Sequence, residues 1–167
     1  YPFTTLEPIL GVVSGGDSGI VFADVPGLID GASQGAGLGV KFLRHVRRAR
    51  VLVHVVDGSG IETDPYEAFR SIDGELETFD TTLMDRPRIV AFNKMDLSEA
   101  RRAWPDFEAQ ALAEGYEAVP ISVATGNGLD KLVGRVIALL AEAPKPDRPE
   151  IRETAVLRPA PVDQDAQ

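Results

Sequence analysis

Polar side chains that could do chemistry stand directly after three apolar runs of this sequence. These polar positions are Asp24, the Asn93-Lys94-Met95-Asp96 segment and Ser122, and each stands at the end of one run. Apolar runs of this length predict buried strands. In an open α/β sheet, ligands bind outside the carboxyl ends of the strands. The sequence therefore predicts one site to which three strand ends contribute.

Asp96 is the residue that could select a ligand. An ionised carboxylate only accepts hydrogen bonds, so it suits a partner with two adjacent donors. Guanine presents such a pair, its ring N–H and its exocyclic amine, and adenine does not. Asp96 therefore favours a guanine nucleotide as the ligand.

The Asp24-Val25-Pro26-Gly27 segment could serve the phosphate side of such a site. A carboxylate at a strand end can hold Mg²⁺, directly or through a water. Gly27 would let the backbone approach a phosphate and offer its N–H. Taken alone, this segment favours an ordinary turn. The Asn93–Asp96 and Ser122 segments, each taken alone, are consistent with a strand end followed by a helix cap. The order and spacing of the three segments favour a nucleotide site.

The composition restricts the class of protein. The 167 residues are 44% apolar with a mean hydropathy of −0.05, which suffices for one domain with a core. The absence of cysteine excludes disulfides and thiolate metal sites and agrees with a cytoplasmic protein. A net charge of −9 argues against nonspecific nucleic-acid binding by the whole chain. No apolar run approaches a membrane span, so no membrane partner is expected.

The elements that must position these side chains alternate between strands and helices. Strands are predicted over Ile9–Val13 and Ile20–Val25, as an antiparallel hairpin, and over Val51–Asp57, Arg88–Phe92 and Ala118–Ile121. Helices are predicted over 40–49, from Asp64 through Leu83, over Ser98–Glu114 with a break or bend at Pro105, and along an apolar stripe from Leu129 to Leu140. This alternation predicts an α/β fold with a mostly parallel sheet covered by helices on both faces.

The three strand-end segments, in this order, resemble the G3, G4 and G5 motifs of GTP-binding proteins, and the finer match is to the Obg (CgtA) family of GTPases. The matching segments are YPFTT at 1–5, LGVV at 10–13, DVPGLI at 24–29, GLGVKFLRHVRRARVLVHVVD at 37–57 and NKMDL at 93–97. The resemblance implies a Ras-like G domain of the P-loop NTPase type over residues 1–143, with motifs G2 to G5. The Pro-rich residues 144–167 are predicted to be a linker or a disordered tail.

On the phosphate side, the resemblance assigns roles to residues near the start of the chain. Thr5 would bind Mg²⁺ through its hydroxyl and sense the γ-phosphate, with Thr4 beside it. Asp24 would also hold Mg²⁺, and Gly27 would contact the γ-phosphate, so Thr5 and Gly27 are the predicted catalytic residues. Leu28 stands where Ras-like switches carry the Gln that orients the attacking water, so slow hydrolysis is expected.

On the base side, the resemblance assigns the remaining nucleotide contacts. Asn93 would brace the base site, Lys94 would pack along the base plane, and Asp96 would read guanine. Ser122 would support Asp96, and the backbone at Val123–Ala124 would approach the guanine carbonyl oxygen. Val123 departs from the family, which usually has Ala there.

The family implies a monomer that binds GTP or GDP with Mg²⁺, hydrolyses GTP, and acts on the large ribosomal subunit in its assembly and in stress or growth control. The phosphate-loop pattern GxxxxGK[ST] does not occur in the 167 residues. In the family it precedes the YPF segment, together with the first helix and a first strand that lies between the strands matching 20–25 and 51–57, so this chain is expected to lack both elements. This chain alone is therefore expected to be inactive.

Two other readings and one surface feature stay open. The Obg-like ATPase branch shares the YPF and DVPGL segments but departs from NKxD, so Asn93–Asp96 argues against it. The chain could also be a non-enzymatic interaction module that lacks a phosphate loop. A basic cluster is consistent either with a solvated helix face or with a contact to ribosomal RNA or protein: Lys41, Arg44, Arg47, Arg48 and Arg50.

Overall fold

The computed structural model describes residues 9–13, 19–24 and 49–144. Their elements, in chain order, are β1 (Ile9–Val13), β2 (Ile20–Asp24), β3 (Leu52–Asp57), α1 (Pro65–Phe79), a 3₁₀ helix (Thr81–Leu83), β4 (Arg88–Asn93), α2 (Ser98–Ala113), β5 (Glu117–Pro120) and α3 (Leu129–Glu142). The predictions for Thr4, Thr5, Gly27 and Leu28, for the tail beyond 144, and for the helix at 40–49 except its last residue, lie outside the described residues.

The strands form two sheets. β1 and β2 pair antiparallel, with Ile9 opposite Asp24 and Val13 opposite Ile20, so the predicted hairpin is confirmed. β3, β4 and β5 form a parallel sheet in that order, and Asp57 is in register with Asn93. Within the described residues, β2 and β3 share no hydrogen-bonded ladder.

The parallel sheet is covered on both faces because β4 alternates its side chains between two apolar clusters. Val90 and Phe92 pack with residues of α1 and α2, including Phe69 and Phe107. The opposite face packs against α3, and its cluster comprises Ile89, Ala91, Val119, Ile121, Leu132 and Val136. Phe22 of β2 also packs against this second cluster, which joins the hairpin to the parallel sheet. The predicted α/β architecture with helices on both faces is confirmed.

Helix α1 is flanked by an aspartate at each end, Asp64 before it and Asp80 after it. The Asp64 carboxylate accepts hydrogen bonds from the backbone N–H groups of Tyr66 (2.9 Å) and Glu67 (3.1 Å), which caps the helix. The prediction that α1 continues through Leu83 is wrong. Asp80 has an extended backbone (φ −158°), and its carboxylate caps the separate 3₁₀ helix in which Leu83 is buried.

A break or a bend was predicted at Pro105, and the break is wrong, since α2 runs through this residue from Ser98 to Ala113. Proline removes one backbone hydrogen bond, but Phe107 and Ala111, both fully buried, hold the following turns against the core. Gly115 (φ 86°) then lets the chain turn toward β5. None of the helices within the described ranges has the length and hydrophobicity that a bilayer span requires.

Candidate functional site

The loops that follow β4 and β5 lie side by side at the carboxyl edge of the parallel sheet. The backbone N–H of Ile121 donates to the Phe92 carbonyl at 2.8 Å, and the N–H of Met95 donates to the Ile121 carbonyl at 3.1 Å. These bonds continue the β4–β5 pairing past the ends of the strands. They bring the Asn93–Asp96 segment against Ser122.

The Asp96 carboxylate is held by one side chain and remains exposed. The Ser122 hydroxyl donates to Asp96 Oδ1 at 2.6 Å, and Ser122 itself is buried. This hydrogen bond lowers the pKa of Asp96, and the nearby charges of Arg101 and Lys94 lower it further. Asp96 is therefore an anchored, ionised acceptor that faces solvent.

The loop that carries Ser122 is closed by its own backbone. The N–H of Ser122 donates to the Asn127 carbonyl (2.9 Å), and the N–H of Gly126 donates to the Ser122 carbonyl (2.8 Å). The N–H of Thr125 also reaches the Ser122 hydroxyl at 3.2 Å. These bonds fix the hydroxyl that holds Asp96.

Asn93 connects the two loops. Its Oδ1 accepts a hydrogen bond from the backbone N–H of Val123 at 3.0 Å. The N–H of Val123 is thus already used within the protein, which differs from its predicted approach to a base carbonyl. Ala124, which is exposed, offers the next backbone N–H along the loop.

Lys94 lies in the left-handed region (φ 71°) between these residues, and the N–H of Leu97 closes the turn onto its carbonyl at 2.8 Å. Its Nζ donates to Asp57 Oδ2 at 2.6 Å. The other Asp57 oxygen accepts from the backbone N–H (2.9 Å) and the hydroxyl (2.7 Å) of Ser59. Asp57 was missed as a site residue, although its position at the end of the neighbouring strand is the signal that could have identified it.

The charges of this pair reinforce each other. Partial burial raises the pKa of Asp57, but the hydrogen bonds from Lys94 and Ser59 outweigh it and leave the pKa below its ordinary value. The same contact raises the pKa of Lys94. Gly58 stands between Asp57 and Ser59, and packing requires a glycine there, because a Cβ would lie 2.7 Å from the Asn93 carbonyl oxygen. Lys94 is therefore a fixed cation at the edge of the site.

Asp96 and Ser122 also line an open cavity of about 630 Å³. Its other lining residues are Met95, Arg101, Thr125, Gly126 and Asn127. The cavity has the concave, partly polar character of a small-molecule site. Arg101 was not predicted to belong to it.

The predicted phosphate side is described only at Asp24, whose backbone ends β2. Thr4, Thr5 and Gly27 fall outside the described residues, and their roles stay predictions. One residue of the basic cluster has a structural role. Arg50 donates to the carbonyls of Leu140 (2.6 Å) and Ala143 (2.8 Å), so its guanidinium caps the end of α3.

Comparisons with known proteins agree with this geometry. The family model described as 50S ribosome-binding GTPase matches residues 1–94. GTPase Obg of Caldanaerobacter subterraneus subsp. tengcongensis is 48% identical over 160 residues, which cover 95% of this chain and 38% of that protein. GTPase Obg of Desulforamulus reducens is 51% identical over 154 residues, which cover 90% of this chain and 36% of that protein. The chain thus spans little more than a third of the length of these relatives.

Solved structures show the same fold. Era in complex with MgGDPNP and nucleotides 1506–1542 of 16S ribosomal RNA superposes with a TM-score of 0.61 at 24% identity, covering 86% of this chain and 47% of Era. The FeoB G-domain of Methanococcus jannaschii gives a TM-score of 0.59 at 19% identity, covering 79% of this chain and 77% of that domain. The predicted G-domain fold of the P-loop NTPase type is confirmed. The chain belongs to the 50S ribosome-binding GTPase family, and its relatives there are GTPases of the Obg type.

Proposed function

We propose that this chain forms the guanine-reading part of a domain that binds GTP and GDP and hydrolyses GTP. The observation that carries the proposal is the ionised, exposed Asp96 carboxylate anchored through one oxygen by the buried Ser122. A carboxylate held in this way accepts the two donors on one edge of guanine. Adenine offers no such pair of donors, so it would not satisfy the Asp96 carboxylate in this way.

The neighbouring side chains support this reading. Lys94, held by Asp57, brings a long aliphatic stem to the rim of the site, where it can cover the face of a base. Asn93 fixes the Val123 backbone, which leaves the N–H of Ala124 as the candidate donor to the guanine carbonyl oxygen. Base recognition would thus come from two loops held together by backbone and side-chain hydrogen bonds.

The phosphate side would be formed by Thr4, Thr5, Asp24 and Gly27. The hydroxyl of Thr5 and the carboxylate of Asp24 are hard oxygen donors of the kind that Mg²⁺ prefers. Mg²⁺ would supply the positive charge that neutralises the transferring phosphoryl group. The backbone at Gly27 would approach the γ-phosphate. Leu28 cannot orient a water molecule, so intrinsic hydrolysis would be slow and a partner would accelerate it.

The partner we propose is the large ribosomal subunit, with a role in its assembly and in growth or stress control in the cytoplasm. The description of the family as 50S ribosome-binding supports this. The basic residues of the 41–50 segment are the proposed contact, without Arg50, which is used at the end of α3.

Nucleotide binding by an extended chain tests the proposal. Because the 167 residues contain no GxxxxGK[ST] sequence, we define the extended chain as residues 1–167 preceded by the segment of GTPase Obg from Desulforamulus reducens that holds the first strand, the phosphate loop and the first helix. Calorimetric titration with GDP and ADP in Mg²⁺ should show binding of GDP and none of ADP. Equal affinities for the two nucleotides would contradict the proposal.

A matched pair of serine variants locates the binding to this site. Ser122→Ala in the extended chain removes the hydroxyl that holds Asp96 and should weaken GDP binding about tenfold, the usual cost of a hydrogen bond to a charged group. Ser98→Ala is the control, since the Ser98 hydroxyl donates to the neighbouring Glu99 and not to Asp96. It should leave GDP binding unchanged.

A further inference from the structure

We propose that Arg101 is a positioning residue that holds the backbone of Asp96 and thereby sets guanine selectivity; this rests on the proposed function. Arg101 lies in the first turns of α2, four residues beyond the turn that carries Asp96. One guanidinium nitrogen, Nη1, donates to the carbonyls of Met95 (2.8 Å) and Asp96 (2.7 Å).

Arg101 thereby supplies hydrogen bonds to two consecutive carbonyls of a short turn. Lys94 adopts a left-handed backbone, and α2 starts after Leu97 without any side-chain cap. Long side chains on a helix point back toward its amino terminus, so Arg101 reaches the preceding turn naturally. Its contact fixes the main chain at Asp96, while Ser122 fixes the carboxylate. Asp96 is thus held at its backbone and at its carboxylate, and both Asp96 and Arg101 line the cavity.

The charge of Arg101 supports the same role. A cation in the first turns of a helix opposes the helix dipole, so an arginine there is unfavourable unless local contacts compensate. Here the compensation comes from two consecutive carbonyls and from the Asp96 carboxylate, whose ionised form Arg101 favours. A lysine could donate to these carbonyls as a point charge but lacks the rigid planar fork of a guanidinium.

The ratio of GDP to IDP affinity measures this role. IDP lacks the exocyclic amine, so the ratio reports how well Asp96 is placed to accept from it. In the extended chain, Arg101→Met should lower the GDP preference about three- to tenfold, a modest factor because the contact is solvent-exposed. Arg101→Lys should retain part of it. Arg102→Met is the matched control, because Arg102 lies on the same turn but contacts Ser98 and Glu99.

Each outcome decides the matter. A GDP preference that falls in Arg101→Met and not in Arg102→Met, with unchanged thermal unfolding, supports the inference. A preference that persists in Arg101→Met, an equal loss for GDP and IDP, or the same loss in Arg102→Met overturns it. If Arg101→Met fails to fold, the Arg101→Lys ratio decides: a parental ratio overturns the inference, and a reduced one supports it. A parent chain that does not distinguish GDP from ADP overturns the proposed function and this inference together.

Discussion

Lys94 and Asp96 are separated by a single residue, yet each is held by a different part of the molecule. Lys94 pairs with Asp57 at the end of β3, and Asp96 is held by Ser122 after β5 and by Arg101 in α2. The local sequence identifies Asp96 through its chemistry. It does not identify Asp57, which is 37 residues away from Lys94. Contacts of this kind depend on strand register, which a short motif does not encode.

Thr5 offers a prediction on the phosphate side. In the extended chain, Thr5→Ala should leave GDP affinity nearly unchanged and weaken binding of a non-hydrolysable GTP analogue. The reason is that the Thr5 hydroxyl would contact Mg²⁺ only when the γ-phosphate orders its segment. Calorimetric titration with both nucleotides is the measurement. Equal losses for GDP and for the analogue would count against this role.

His54 predicts a dependence of stability on pH. Burial lowers its pKa from 6.5 to about 4, Asp73 partly opposes this, and Arg88 adds to it. Between pH 6.5 and 4 the unfolded chain therefore takes up a proton that the folded protein does not. The free energy of unfolding should therefore decrease as the pH is lowered through this window, by at most about 3 kcal/mol from this group.

His54→Gln isolates this contribution from that of the carboxylates. The variant should lose much less stability than the parent between pH 7 and pH 4.5, as measured by urea unfolding of the extended chain at several pH values. Parallel curves for the parent and the variant would show that His54 is not responsible.

At the scale of elements, the strands and helices could be predicted because their burial patterns are local. Ile89–Phe92 is apolar at every position, as a strand buried on both faces requires, and β4 is that strand. The two errors arose where a local rule met tertiary packing. The spacing of apolar residues predicted that α1 continues to Leu83, although Asp80 ends the helix. The general behaviour of proline predicted a break or bend in α2, although the helix continues through Pro105 and buried Phe107 follows in the next turn.

Two glycines near α3 should respond in opposite ways to alanine. Gly128 has φ 79°, and a Cβ there would overlap the Pro120 carbonyl oxygen and lie 3.2 Å from Ile121 Cα. Gly128→Ala should therefore destabilise the protein by about 1–3 kcal/mol. Gly134 is exposed inside α3 with open space around it, so Gly134→Ala should stabilise by about 0.5–1 kcal/mol.

Urea unfolding of the extended chain and its two variants measures both effects. Gly128→Ala should also weaken GDP binding, since Gly128 follows Asn127, whose carbonyl closes the Ser122 loop. Gly134→Ala should not affect binding. Loss of stability in Gly134→Ala, or none in Gly128→Ala, would contradict this account of the two positions.

For the whole molecule, the pairing of the strands sets the expectation for residues 1–167 alone. In the described ranges β2 and β3 lie in separate sheets, and Val21 and Val55 on these strands are 60% and 59% exposed. Unpaired strand edges beside exposed apolar side chains favour aggregation. We expect residues 1–167 to unfold with poor cooperativity and to show no measurable GTP affinity, whereas the extended chain should unfold sharply.

Thermal unfolding with and without GTP and Mg²⁺ compares the two chains. A sharp transition of residues 1–167, shifted upward by GTP and Mg²⁺, would falsify this expectation.

The α/β fold itself was predictable from the alternation of elements and from the resemblance. The separation of the hairpin from the parallel sheet agrees with the resemblance, which places a further strand between the strands matching 20–25 and 51–57.

Replacement of Asp96 by asparagine, with GTP and XTP as competing ligands, tests the central claim most directly, because it asks whether this carboxylate reads guanine. Asp96→Asn in the extended chain places an amide donor where guanine also donates, which costs on the order of 1–3 kcal/mol. Xanthine carries an oxygen in place of the exocyclic amine and accepts from that amide. In competition against labelled GTP, the parent should prefer GTP to XTP, and Asp96→Asn should lose that preference. An Asp96→Asn variant that prefers GTP as strongly as the parent would contradict the claim.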